Sequence, residues 1–148
     1  MKTLDIQKCE YILHQNYIGH LGYIYNNRPF IVPITYLYNK DHLIIGYSGE
    51  GHKINALRLN PNVSLEVSEI DAIDKWKSVL VHGVFKELTG SGAKAMLHEF
   101  SLGIKEVILN NEGRDLDYIH EFSAKVEAGE PVIYKIEVEE ITGKYRIN

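Results

Sequence analysis

The stretch that decides the fold runs from Leu43 to Pro61 and reads LIIGYSGEGHKINALRLNP. Leu43 to Tyr47 is a short apolar run of strand character. Ser48, Gly49, Glu50 and Gly51 follow as a turn in which two glycines are released from the usual limits on φ. From His52 the apolar period changes: Ile54, Leu57 and Arg58 fall at helical spacing, and Asn60-Pro61 closes the segment. The stretch therefore reads as strand, glycine turn, short helix. The first N–H groups of such a helix lack intrahelical partners and carry the positive end of its dipole. Lys53 adds a full charge one residue past His52. Together they make an anion site suited to a phosphate. The competing reading is a plain strand-to-helix connection, capped by Ser48, with Lys53 exposed.

Towards the N-terminus, Leu4 to Gln15 reads as a helix with Ile6, Cys9, Ile12 and Leu13 on one stripe. Ile18 to Tyr25 is a strand, and Asn26-Asn27 turns it into a second strand, Arg28 to Tyr38. Both faces of that second strand are apolar, which predicts burial on two sides. Pro33 lacks a donor, however, so the strand must be edge-like or bulged there. Towards the C-terminus, Val63 to Glu69 alternates as a strand, Ile70 to Lys75 is a polar connection, and Trp76 to Leu88 is a long strand. On it Trp76, Ser78, Leu80, His82 and Val84 share one face, and Gly83 marks a bulge or a close approach. Ala93 to Asn110 is helical, with Gly103 as a potential break into two helices. Asp115 to Glu127 is a further short helix, and Pro131 to Ile141 a last strand, followed by Thr142-Gly143-Lys144. Short turns between neighbouring strands favour antiparallel pairing, so the expected fold is mainly β with helices (α+β), one sheet curled into a small barrel.

Composition bounds the function. A chain of 148 residues is expected to be one domain, residues 1–148, with a core that needs no staples. Net charge is −4 and pI about 6.0, so no electrostatic footprint for nucleic acid is expected. Cys9 is the only cysteine, which rules out an internal disulfide and a cysteine-based zinc site. No signal peptide or membrane span is visible, and a cytoplasmic location is expected. The seven histidines show no tight ligand spacing, and His98-Glu99 lacks the second histidine of HExxH, so no metal is expected. GYSGEG is neither a Walker loop nor a dinucleotide fingerprint, and Ser48, Ser64 and Ser78 have no identifiable triad.

The run RPFIVPITYLYNKDHLIIGYSGEGHKINALRLNPNVSLEV, followed by WKSVLVHGVFKEL, resembles the FMN-binding split β-barrel flavoproteins related to pyridoxamine 5′-phosphate oxidase. The nitroimidazole-resistance (Nim) branch, which also tends to carry a late TGK, is the most similar group. The specific part is the ordered set VPxxY, YSxxGxK, NPxVS and WxSVxVxG. It covers Tyr17 to Leu88 well, the final strand loosely and Gly90 to Gly129 little.

The resemblance implies an antiparallel split β-barrel and a homodimer with one FMN at each subunit interface. It assigns isoalloxazine contacts to Pro33, Ile34, Thr35 and Tyr36, largely through backbone, and the FMN phosphate to Tyr47, Ser48, His52 and Lys53. Ser78 matches a flavin-contacting position, and Lys144 a weaker anion contact. Tyr36, Trp76 and His82 would shape a substrate pocket. The implied activity is electron transfer from a nicotinamide cofactor through FMN to a small-molecule acceptor such as a nitro compound, with the flavin carrying the chemistry and no side chain required as acid or base. The alternatives are a haem-binding protein on the same barrel and a non-catalytic flavin-binding module. His52 stands where the oxidase commonly has an arginine, and the oxidase's late tryptophan and arginine have no counterpart near Ile141 to Asn148. Oxidation of pyridoxamine phosphate is therefore not implied.

Overall fold

A computed structural model of the protein describes residues 1–115 and 131–147. Its elements are β1 (Lys2–Thr3), α1 (Ile6–Gln15), β2 (Ile18–Tyr25), β3 (Arg28–Thr35), β4 (Leu37–Tyr38), β5 (Leu43–Ser48), α2 (His52–Leu59), β6 (Asn62–Ala72), β7 (Lys75–Leu88), α3 (Gly90–Glu112) and β8 (Val132–Ile147). The strands form one antiparallel sheet in the order β3-β2-β6-β7-β8-β5-β4, with β1 added to β8. The two ends of that path, β3 and β4, do not pair with each other, so the barrel is split, as the resemblance implies.

Each face of the sheet is covered differently. The inner face carries Leu21, Leu65, Val67, Val79, Val81, Tyr134 and Ile136, which pack with Cys9, Ile12 and Leu13 of α1 and Ile54 and Leu57 of α2. The helix α1 starts at Asp5, whose side chain accepts from the Lys8 N–H at 2.9 Å. On the opposite face α3 covers only the β4-β5-β8 half: Ala93, Leu97, Phe100, Ile104 and Ile108 pack on Leu37, Ile45 and Ile133. Among the described residues no helix lies over the outer face of the β3-β2-β6-β7 half, and Ile31 and Ile70 are each 73% exposed there.

Several expectations are corrected. The strand Arg28 to Tyr38 divides at Tyr36 into β3 and β4, and β3 is an edge strand, exposed on one face, not buried on two. Pro29 and Pro33 lie four residues apart, so both missing donors fall on the same side of β3, the side away from β2. The polar connection Ile70 to Lys75 shrinks to Ile73-Asp74, because β6 and β7 stay paired up to Ala72 and Lys75. Gly103 does not break α3; its missing Cβ lets Leu37 approach, with Cδ atoms 2.6 Å from where that Cβ would stand. The helix expected from Asp115 to Glu127 lies outside the described residues apart from Asp115 itself. The last strand runs on to Ile147 and takes Thr142-Gly143-Lys144 into the ladder, opposite Leu80, Val79 and Ser78. The glycine turn uses neither glycine in the left-handed region: Gly51 has φ 167, which is extended backbone. Ile6 leaves the buried stripe of α1, being 51% exposed, and Leu4 before the helix is buried instead. No described helix is long and apolar enough to cross a membrane.

Gly83 marks both a bulge and a close approach. The β7–β8 register shifts between His82 and Gly83, and a Cβ on Gly83 would stand 2.5 Å from the Glu137 carbonyl oxygen. That neighbour is backbone in the central ladder and cannot swing aside. Gly83→Ala is therefore expected to lower unfolding stability by about 1–3 kcal/mol, read as a lower denaturation midpoint with unchanged m-value; an unchanged midpoint would show that the ladder yields.

Candidate functional site

The β5-α2 connection places the candidate anion site. β5 is held on β8 from Leu43–Glu137 to Ser48–Val132, and α2 is anchored by Ile54, Ala56 and Leu57, all in the core. The helix end is thus fixed from below. Its N-cap is Gly51, which offers no side-chain cap, and Ser48 Oγ donates instead to the Gly49 carbonyl at 3.0 Å. Ser48 is therefore not the helix cap. A Cβ at Gly49 or Gly51 would meet nothing within 4 Å, so this backbone is bare on its outer side.

Lys53 lies in the first turn of α2 and is half-buried. Burial pushes its pKa below the ordinary lysine value of 10.5, with desolvation as the cause. Among the described residues no hydrogen-bond or ion-pair partner meets its ammonium. His52 turns the other way. Its Nδ1 is 2.9 Å from the Tyr23 hydroxyl, and its ring packs against Tyr25 and Phe30 with centroids 4.9 Å apart in each case. Tyr23 in turn stacks on Phe30. His52 is thus pinned to the β2–β3 hairpin and ties the start of α2 to it. Tyr47 packs edge-on against Phe100 of α3.

The residues expected at the flavin ring divide. Pro33, Ile34 and Thr35 lie on the edge strand β3, where peptide groups on the side away from β2 have no strand partner. Tyr36 does not belong with them as a donor or a pocket wall. Its side chain is fully buried, its hydroxyl donates to the Leu13 carbonyl at 2.9 Å, and its N–H donates to the Tyr17 carbonyl at 2.9 Å. Burial also raises the Tyr36 pKa. Ser78, on the outer face of β7, donates to Glu66 at 2.6 Å. Glu66 also sits 3.3 Å from His20. Lys144, one strand over from Ser78, donates to Thr3 at 3.2 Å.

Trp76 and His82 share that outer face but are six residues apart, about 20 Å along the strand. A groove of about 440 Å³ includes His82, Ser64, Gly22, Ile24, Pro29 and Ile31 among its lining, without Trp76. Within one chain they do not form a single pocket. His82 is paired with Ser64 at 2.8 Å. No group of three or more His, Cys, Asp or Glu that could hold a metal occurs among the described residues.

Sequence reasoning missed three features. One is the Tyr23-Tyr25-Phe30 cluster around His52, whose only signal was aromatic alternation in β2. Another is Glu66 as the shared partner of His20 and Ser78. The third is Arg58, which bonds Glu50 in the glycine turn and Glu87 at the end of β7. Pairs separated by 29 residues leave no local trace in the sequence.

The sequence model of the family described as pyridoxamine 5′-phosphate oxidase matches residues 5–145. The chain belongs to that family. In fold it is similar to an FAD-binding protein from Mesorhizobium loti, at 26% identity and TM-score 0.77, over 99% of this chain and 98% of that one. It is also similar to a protein from Bacteroides thetaiotaomicron, provisionally assigned to 5-nitroimidazole antibiotic resistance, at 21% identity and TM-score 0.70, over 96% and 86% of the two chains. An uncharacterized protein of Rhizobium meliloti is 28% identical over 97% of this chain and 94% of its own length.

Tested against the flavin phosphate that the resemblance implies, the family member's α2 end fits. It offers an uncapped helix N-terminus, a bare glycine backbone and a desolvated ammonium that meets no acceptor. The same desolvation disfavours the charged form of Lys53 in the folded protein. The cost is present at neutral pH, where the ammonium is charged, and disappears once the pH exceeds the ordinary value of 10.5. Lys53→Met is thus expected to raise the thermal midpoint of the ligand-free protein at pH 7 by about 1–3 °C, with the gain shrinking at alkaline pH. A lower midpoint would mean that the ammonium is satisfied.

Proposed function

We propose that the protein is a homodimeric flavoprotein of the cytoplasm that binds FMN and passes electrons from a reduced nicotinamide to a small acceptor such as a nitro compound. The observation that carries this reading is the α2 end, where Lys53 and unpaired N–H groups await an anion. Family membership and the similarity to a FAD-binding protein support a flavin as the bearer of that anion. When bound, the flavin supplies the redox chemistry. Lys53 and the first N–H groups of α2 hold its phosphate, His52 keeps that helix end against the β2–β3 hairpin, and the free edge of β3 offers the ring the backbone of Pro33 and Thr35, with Ile34 between them turned to Gly19 of β2.

The bare outer face of the β3-β2-β6-β7 half supports the dimer. Ile18, Ile24, Ile31, Ile70 and Leu80 are all exposed large hydrophobics on that half. Fully burying a side chain of this kind is worth about 1.5–3 kcal/mol. A second copy of the same face supplies that cover and closes the groove that holds His82.

The purified protein, mixed with FMN or FAD and desalted, is expected to keep flavin absorption bands. NADH or NADPH is then expected to bleach them, and a nitro acceptor to restore them. Loss of all flavin on desalting would overturn the reading, and a Soret band in its place would turn it to haem. Lys53→Ala is expected to weaken FMN binding at least about tenfold, the worth of a charge-assisted contact; unchanged affinity removes the phosphate assignment. In solution the wild-type mass is expected to be twice the 16.9 kDa of the chain. Ile31→Glu is expected to yield monomers that release flavin, and a dimer surviving that change would place the interface elsewhere.

A further inference from the structure

Arg58 stands in the last turn of α2, yet its guanidinium acts on the loop before the first turn. Nη1 and Nη2 donate to the two carboxylate oxygens of Glu50, each at 2.8 Å. Nε and Nη2 donate to those of Glu87 at 2.7 and 3.0 Å. Three elements meet at this one cation: the glycine turn, α2 and the end of β7.

The arrangement has a cost and a use. Arg58, Glu50 and Glu87 are 38%, 58% and 30% exposed at the side chain, and ion pairs this wet add little to global stability. Their location is the stronger clue. Glu50 directly precedes the N-cap Gly51 and lies three residues from Lys53. A free carboxylate there has the wrong sign beside a site for an anion. The hydrogen bonds from Arg58 hold the Glu50 carboxyl below its ordinary pKa, so it is ionised and its charge needs masking at neutral pH. The turn also has little else to fix it, since positions 49 and 51 carry no side chain and Ser48 bonds back to its neighbour.

We propose that Arg58 is a positioning residue for the anion site: its fork holds the glycine turn in place and offsets the Glu50 charge beside Lys53, without Arg58 touching the ligand. This rests on the reading of that end as the flavin phosphate site. Glu87 serves as the fixed post, because it sits on β7 in the central ladder.

The test measures FMN and riboflavin affinity of the flavin-free protein by fluorescence titration. Riboflavin shares the ring and ribityl chain but lacks the phosphate. Arg58→Ala is expected to weaken FMN by about tenfold, within the usual range of coupling between charged neighbours, and to leave riboflavin within about twofold. Adding Glu50→Gln to Arg58→Ala is expected to recover FMN to within about threefold of wild type, because the carboxylate to be masked is gone. An unchanged FMN affinity, an equal loss for both ligands, or no recovery in the double variant would each overturn the proposal. If Arg58→Ala does not fold, Arg58→Lys keeps the charge without the fork and is expected to lose about threefold in FMN affinity; parity with wild type overturns the proposal. Failure of the wild-type protein to bind FMN, by contrast, removes the phosphate reading itself.

Discussion

The ladder between β7 and β8 carries the molecule. It pairs residue by residue from Lys75–Ile147 to Leu88–Ile133, with one shift at His82/Gly83. β6, β2 and β3 hang from one side of it, and β5 and β4 from the other. Every other placement follows from this spine. The helices α1 and α2 fill the concave side, where the inward residues Val79, Val81, Tyr134 and Ile136 lie. α3 can reach only the β8-β5-β4 side of the convex face. At Gly83 the Glu137 carbonyl oxygen occupies the space a Cβ would need, which is why a residue without Cβ stands there.

The candidate anion site inherits its rigidity from that spine at one remove. β5 is registered on β8 through six residue pairs, and α2 drops Ile54 and Leu57 into the core directly after the turn. A helix anchored in this way holds its N-terminal N–H groups in fixed positions without help from a cap. The missing cap and the bare glycines then leave the donors open to an incoming ligand, not spent within the chain. Placing a site on an anchored element gives tighter geometry than placing it on a loop. The loop that remains, Ser48 to Gly51, is short and is spanned by the Arg58 fork.

Local pattern made much of this legible. The change of period at His52 located α2, and the alternation in Val132, Tyr134 and Ile136 located the buried face of β8. The ordered motifs identified the family, and the family model extends over nearly the whole chain. What failed was whatever depends on neighbours distant in sequence. Two apolar faces on residues 28–38 predict burial on two sides, but burial is a property of the layer outside the strand, and the described residues supply no such layer over the outer face of β3. Tyr36 looked available because its neighbours are; only the fold shows both of its donors spent on Leu13 and Tyr17. Gly49 and Gly51 suggested unusual φ, whereas the structure uses them for openness. For Arg58 the helical spacing gives only its place on α2; its partner Glu87 comes from β7, 29 residues away.

The outer face of the β3 half shows how one surface can favour association of one kind and oppose another. Its edge is guarded: Pro29 and Pro33 remove donors from the free side of β3, so another strand finds a broken ladder there. Its face is the reverse, with Ile31 and Ile70 largely exposed to solvent. Five polar groups on that face are already paired across strands, Ser64 with His82, and Glu66 with both Ser78 and His20. Groups satisfied in this way pass into an interface without the penalty of an unmatched donor. The surface is therefore built for packing sheet face against sheet face and not for adding a strand. In the proposed dimer, such packing would leave the free peptide groups of β3 at the rim of the contact, open to a ligand between the subunits.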